Sequence, residues 1–299
     1  MIEKPKTSAN GWTPHGFDGY RNHYPNTGWT PVDIDRDLSE RFISYWETDA
    51  VPVQNSARTV VLSPGLFSEF LPGCFSAAKK TLSSAGFRVI RTRARSRFSI
   101  REQAERMAAG LRQDLGNEER FIWCGHSKGS IELLWALEQT PALRALCAAA
   151  IVVQPAAGVS PVVNRWQNAP KTIFERAGGA LISTPPVRAG VRDISKDRDD
   201  VVSKWLEEFS PVTPTLCVAT WSIKPTSWVD SYHRTLNEIA PGHAHDGQFL
   251  MTDQRLPGTS LVCLPELDHA QPVFGGNQLD TERLWRALIH VGQELGDSE

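Results

Sequence analysis

From residue 58 onward the apolar positions fall into short runs that alternate with stripes at helical spacing. Thr59 to Leu62, Phe87 to Thr92, Phe121 to Cys124, Ala145 to Val153, Thr215 to Trp221 and Ser260 to Leu264 read as strands. Ala145 to Val153 is almost continuously apolar, the pattern of a strand buried on both faces at the centre of a parallel sheet. Between these runs the period changes. Helices are expected at Pro72 to Ala85, Lys128 to Gln139 and Asp280 to Leu295, the last with Leu284, Leu288 and Val291 facing inward. Ile100, Ala104, Met107, Ala108, Leu111 and Leu115 form one helical stripe, opened by the capping box Ser99-Ile100-Arg101-Glu102. The β–α succession predicts an α/β protein with a doubly wound, mostly parallel sheet.

The rhythm is broken at two places. Residues 1–57 are polar and turn-rich, with scattered aromatics at Trp12, Phe17, Tyr20, Tyr24 and Trp29. Within them Asp35 to Glu47 reads as a helix whose Leu38, Phe42 and Trp46 share a face, predicted to dock on the main domain. Residues 158–213 contain Pro161, Pro170, Pro185, Pro186 and Pro211, a Gly178-Gly179 pair, and one helical stretch around Asp200 to Phe209. They read as a cap inserted into the sheet. The expected organisation is an N-terminal segment (1–57) packed on a core domain (58–299) that carries the cap at about 158–213.

Composition narrows the classes. The 299 residues are 40% hydrophobic and 22% charged, with a formal net charge of −2. No overall field favours nucleic acid or an anionic membrane. No apolar run approaches the roughly 20 residues that span a bilayer, and the first residues carry no apolar signal core. The five cysteines, Cys74, Cys124, Cys147, Cys217 and Cys263, include no C-x-x-C pair. Free thiols in a reducing, cytoplasmic setting are the expectation.

The most informative segment is Gly125-His126-Ser127-Lys128-Gly129, which fits G-x-S-x-G between a strand and a helix. A turn of that kind lifts a serine hydroxyl above the sheet edge, with glycines expected to allow backbone strain and close approach of neighbouring segments. Such a hydroxyl becomes a nucleophile when a base reaches it and an acid orients the base. His269, in a loop after the last strand, is the candidate base. Its loop lies at the carboxyl end of the sheet, as the elbow does. Asp246 and Asp230 are the candidate acids, and the rigid Asp246-Gly247 turn favours the first. Asp268 is disfavoured because chain neighbours on extended backbone point apart. A tetrahedral oxyanion needs two N–H donors, expected from Lys128 and from Leu66 in Ser63-Pro64-Gly65-Leu66-Phe67, with Phe67 as the fallback.

Together these residues resemble the α/β-hydrolase superfamily, in particular its bacterial serine lipase and esterase branch. The resemblance covers residues 58–299 and rests on Ser63-Pro64-Gly65, the elbow, and Asp268-His269. Gly158-Val159-Ser160-Pro161 is similar to the segment that opens that branch's cap, and Asp246-Gly247 to the turn that carries its acid. This second likeness is the main reason Asp246 ranks ahead of Asp230. Pro64 stands in place of the usual oxyanion-loop histidine and His245 in place of an asparagine. The resemblance implies an α/β-hydrolase fold and hydrolysis of a small-molecule carboxylic ester through an acyl-enzyme. Thioester or amide cleavage, acyl transfer, and a non-catalytic receptor on the same scaffold are the alternatives. Phe67, His126, Trp166 and Trp205 are the candidate substrate-binding residues, although Trp166 and Trp205 also suit packing of the cap. No cofactor or metal is expected, because His243-x-His245-Asp246 lacks a partner set and reads as a solvated turn. Arg88, Arg91, Arg93, Arg95, Arg97 and Arg101 form a dense basic run. It reads first as a solvated edge paired with surface acids, and alternatively as a grip on a substrate carboxylate or phosphate.

Overall fold

The computed structural model describes residues 12–14, 36–53, 57–93, 95–115, 120–168, 185–222, 230–276 and 279–297, with backbone alone at 166–168, 185–188 and 230–231. Phe17, Tyr20, Tyr24, Trp29 and Gly178-Gly179 lie outside them.

The apolar runs form strands in one parallel sheet. Among the described residues it has seven strands: β1 (Arg36–Asp37), β2 (Thr59–Ser63), β3 (Arg88–Arg91), β4 (Phe121–His126), β5 (Cys147–Val153), β6 (Thr215–Trp221) and β7 (Ser260–Pro265). Their order across the sheet is β1-β7-β6-β5-β4-β2-β3. β4, β5 and β6 occupy the middle and are buried along their whole length, which is why their sequences are apolar without alternation. The order reverses direction beside β4, so ligands are expected above the carboxyl ends there.

Helices cover both faces. On one face α1 (Ser39–Thr48), α2 (Ser76–Ser84) and the closing helix α11 (Thr281–Asp297) bury Phe42, Leu82, Leu284 and Leu288 against Val60, Ile122 and Val218. On the other, α3 (Ile100–Leu115) and α4 (Lys128–Gln139) bury Ile100, Met107, Ile131 and Leu137 against Val61, Trp123 and Val152. The capping box closes as expected: Ser99 N–H donates to Glu102 Oε2 at 3.1 Å, and Glu102 N–H to Ser99 Oγ at 3.3 Å.

Three elements differ from the sequence reading. Arg36 and Asp37 pair with Ser260 and Leu261, so part of the N-terminal segment extends the sheet itself. The helix after it starts at Ser39 rather than at Asp35, and docks through Phe42 and Trp46. Ala145 and Leu146 close a short helix, α5 (Pro141–Leu146), instead of opening β5. Pro141 at its first turn supplies the fixed φ that starts it. Trp12 also reaches the core, donating to Pro265 O at 2.9 Å and meeting Trp46 edge-on at 4.9 Å.

Between β5 and β6 the chain leaves the sheet for α6 (Pro161–Asn168), α7 (Pro185–Arg192) and α8 (Asp200–Glu207). Asp199 caps α8, its Oδ1 accepting from Val201 N–H at 3.0 Å. Arg198 ties this excursion to the end of β5 by donating to the carbonyls of Ala156, Ala157 and Gly158. α9 (Asp230–Ile239) and α10 (Gln271–Phe274) flank the last strand.

Candidate active site

Ser127 stands alone between β4 and α4 with φ 56° and ψ −128°. A non-glycine residue in that region stores on the order of 1–3 kcal/mol of strain. Of the two tasks expected of the flanking glycines, backbone strain and close approach, they perform the second. Neither has a left-handed φ, and what they supply is room. A Cβ on Gly125 would lie 2.7 Å from Ser130 Cα, and one on Gly129 would lie 2.5 Å from the carbonyl oxygens of Ser63 and Pro64. The strain therefore sits on the serine, while the glycines let α4 and the β2 loop close around it. Ser127 N–H donates to Val153 O at 3.0 Å, which fixes the turn to the neighbouring strand.

His269 lies in the loop between β7 and α10, and Asp246 on the turn before the short 3₁₀ helix at Met251–Gln254. His269 Nδ1 donates to Asp246 Oδ2 at 2.7 Å. That leaves Nε2 as the acceptor for the Ser127 hydroxyl at 2.9 Å. Asp246 is fully buried. Its second oxygen accepts the N–H groups of Gln248 and Phe249, each at 2.8 Å, so the carboxylate is held in one orientation. His269 N–H donates to Asp246 O at 2.8 Å and locks the two loops backbone to backbone. Asp268 turns the other way. Its Oδ1 caps α10 by accepting from Ala270 and Gln271 N–H. Asp230 opens α9, and its side chain is outside the described residues.

Beneath His269 lies a buried polar layer that was not read from the sequence. His126 Nε2–H donates to His269 O at 2.9 Å and to Gln154 Oε1 at 3.1 Å. Gln154 in turn donates to Asp268 O at 2.9 Å and to Thr220 Oγ1. Burial, and then the neighbouring His269, push the His126 imidazole down to about 3, so it stays neutral. His126 is buried in this network against His269 rather than on an open pocket wall.

The loop after β2 approaches the elbow closely. A Cβ on Gly65 would lie 2.9 Å from both Ser127 Cβ and His126 O. Phe67 N–H is engaged, donating to Ser96 Oγ at 2.6 Å. Glu69 braces that serine, accepting from Ser96 N–H at 2.5 Å and Oγ–H at 2.7 Å. Leu66 N–H has no partner among the described residues, and Lys128, at the first position of α4, has no intrahelical acceptor for its N–H. The Lys128 side chain runs into the core. It pairs with buried Glu132 and donates to Phe98 O at 3.1 Å. Burial raises the Glu132 carboxyl to about 7 against the opposing pull of Lys128.

Trp205 is half-buried and meets Trp135 at 5.0 Å and Phe209 at 5.3 Å, joining α8 to α4. The Trp166 side chain is outside the described residues. The His243 turn differs from the solvated one expected. His243 is exposed, but His245 is buried, stacked edge-on against His233 at 4.4 Å and bonded to Asn237 Oδ1 at 3.1 Å. Among the described residues no cluster of ligating side chains forms a metal site, and no helix is long and apolar enough to cross a membrane.

The overall fold is matched by solved structures. A metagenomic carboxyl esterase superposes with a TM-score of 0.63 at 19% identity, covering 82% of this chain and 79% of that one. The chain has the α/β-hydrolase fold. Among other structures sharing that fold, a Bacillus licheniformis lipase in mature form gives a TM-score of 0.57 at 16% identity, covering 75% and 91%. A Legionella pneumophila phospholipase gives 0.56 at 13%, covering 79% of this chain and 59% of its own. No protein-family model matches the sequence, and no curated protein does. Within this fold Ser127 follows β4, Asp246 precedes β7 and His269 follows it.

Proposed function

We propose that the protein is a serine hydrolase that cleaves a small-molecule carboxylic ester through an acyl-enzyme on Ser127. The observation that carries this reading is the unbroken relay from Ser127 Oγ to His269 Nε2 at 2.9 Å and from His269 Nδ1 to Asp246 Oδ2 at 2.7 Å. As the Ser127 oxygen bonds to the ester carbonyl carbon, its proton passes to His269 Nε2. Asp246 holds the imidazole and offsets the charge it gains. The carbonyl oxygen, now negative, is received by the N–H groups of Leu66 and Lys128. Collapse breaks the ester C–O bond, and the imidazolium gives its proton to the departing alcohol. Water then attacks the acyl-enzyme by the same route and releases the acid.

Residues 158–213 serve in this reading as the cap that shapes the acyl pocket, on a core of 58–299 braced by segment 1–57. The esterase and lipase names of structures with the same fold support ester cleavage over the alternatives. The five buried free cysteines support work in a reducing, cytoplasmic compartment. Labelling with a fluorophosphonate followed by peptide mass mapping tests the proposal. An adduct on Ser127 that disappears in Ser127→Ala, together with turnover of p-nitrophenyl esters, is expected. A folded, unlabelled protein without esterase activity rejects it.

A further inference from the structure

The arginine run is solvent-exposed, as expected of an edge, but most of it is not paired with surface acids. Among the described residues, Arg91, Arg93, Arg95, Arg97 and Arg106 make no ion pair with a carboxylate. Instead they converge on two adjoining cavities of about 440 and 520 Å³, which share Arg91, Thr92, Arg93 and Arg95 as a common wall. Arg97 and Arg106 line the larger one with Phe98, whose ring lies 4.7 Å from the first guanidinium and 4.0 Å from the second. The carboxylates on these walls are Glu69 and Asp114. Both Glu69 oxygens already accept from Ser96. Five guanidiniums against two carboxylates leave an excess of positive charge along these walls, which attracts an anion. Guanidinium forks match phosphate oxygens bidentately.

Position adds a second argument. The segment continues from the carboxyl end of β3, the same end of the sheet at which Ser127 leaves β4. β2 alone separates the two strands, so the arginines stand roughly 10 Å across the sheet from the elbow. Ser96, within the run, also grips the Phe67 amide of the loop beside Ser127.

We infer that Arg91, Arg93, Arg95 and Arg97, with Arg106, form a binding site for the phosphate groups of a small molecule. Resting on the ester-cleaving reading, that molecule is the substrate, its phosphate held one strand beyond its scissile carbonyl.

Inorganic pyrophosphate titrated calorimetrically into the full chain is the first test. One-site binding, weakened about tenfold or more in Arg93→Gln/Arg95→Gln, is expected for bidentate contacts of this kind. Arg101→Gln/Arg112→Gln removes the same charge from exposed positions outside both cavities and should retain binding within about twofold, as screening of distant charges requires. No binding, equal weakening in both double variants, or attachment only to vesicles of anionic lipid overturns the site. Matching circular dichroism melts exclude a folding defect as the cause. The second arm compares kcat/KM for a phosphate-bearing ester with that for a neutral ester. A tenfold fall of that ratio in Arg93→Gln/Arg95→Gln supports substrate positioning by about the energy of one decade. An unchanged ratio beside lost pyrophosphate binding overturns the substrate role. Failure to turn over any ester strikes the ester-cleaving reading alone, since the pyrophosphate arm needs no catalysis.

Discussion

Ser96 Oγ accepts the Phe67 amide at 2.6 Å while Glu69 holds the same serine from behind. Phe67 is thereby kept at φ 64°, a left-handed conformation that a phenylalanine adopts only under constraint. The amide just before it, that of Leu66, has no partner among the described residues and is the proposed oxyanion donor. Replacing Ser96 by Ala removes the constraint without touching the relay. The expected result is a kcat loss of roughly 10- to 100-fold with KM little changed, because a misplaced oxyanion donor is felt in the transition state. Ser127 should still label with fluorophosphonate, more slowly. Steady-state kinetics and labelling rates on the same preparation check this.

Asp246 cannot be exchanged for its amide without consequence. The carboxylate accepts from the imidazole on one oxygen and from two backbone N–H groups on the other. In Asp246→Asn one of those acceptors becomes a donor, and the imidazole then presents a proton, rather than a lone pair, to Ser127. We expect kcat to fall by a factor on the order of 10⁴ with the melting temperature only modestly lowered. The kinetics of p-nitrophenyl ester hydrolysis give the first number and a thermal melt the second.

The glycines predict opposite outcomes at two sites. Gly129→Ala places a methyl group 2.5 Å from two backbone oxygens that cannot swing aside, so the β2 loop must shift. A destabilisation of about 1–3 kcal/mol is expected, with activity lost in parallel. Gly110 lies inside α3, and a Cβ there meets nothing within 4 Å. Gly110→Ala should stabilise the fold by roughly 0.5–1 kcal/mol through helix propensity and reduced freedom of the unfolded chain. Urea melts of the two variants provide the comparison.

The buried Lys128–Glu132 pair is a test of charge burial next to Ser127. Lys128→Met leaves Glu132 without its partner and should cost about 3–5 kcal/mol, and the backbone N–H at 128 is retained. Adding Glu132→Leu to that variant should return most of the loss. If the double variant is no more stable than the single one, the pair is contributing something other than mutual neutralisation. Chemical denaturation of wild type, Lys128→Met, Glu132→Leu and the double variant closes the cycle.

Acid should expose the buried histidines. Burial lowers His126 to about 3 and His245 to about 4 from the ordinary 6.5. Between those values and 6.5 the unfolded chain binds protons that the folded one refuses, so these groups cost stability as pH falls, by up to about 1 kcal/mol per unit each. Burial also raises Glu132 to about 7 and Asp253 to about 6, and these carboxyls act in the opposite sense over the same range. The contribution of one imidazole is therefore isolated by difference. The stability of His245→Asn relative to wild type should rise as pH drops from 6.5 to about 4 and be flat above 7. Urea midpoints at stepped pH measure it.

The legible parts of the molecule are those in which one local pattern decides the outcome. β4, β5 and β6 are buried throughout, and their unbroken apolar runs announced it. Ser127, Asp246 and His269 stood out because a glycine-framed elbow, a turn dipeptide and a loop histidine occur in the chain order this topology needs. β1 was invisible. Its two residues, Arg36 and Asp37, are charged and exposed, and only pairing with β7 makes them a strand. The end of α5 was misread because Ala145 and Leu146 run without a break into the apolar β5, and hydrophobicity does not mark where a helix becomes a strand. The burial of His245 and the grip of Ser96 on Phe67 depend on segments far away in sequence. No short window of residues carries that information.

The short pairing of Arg36 and Asp37 with Ser260 and Leu261 has a further bearing on the molecule. β7, which presents His269 from its end, would otherwise be an outermost strand with bare amide and carbonyl groups along one side. The two-residue cover, continued by Leu38 N–H to Leu261 O at 2.8 Å, seals part of that margin against recruitment of another chain. Trimming the polypeptide to the β–α repeat alone would leave an adhesive border on the strand that leads to His269.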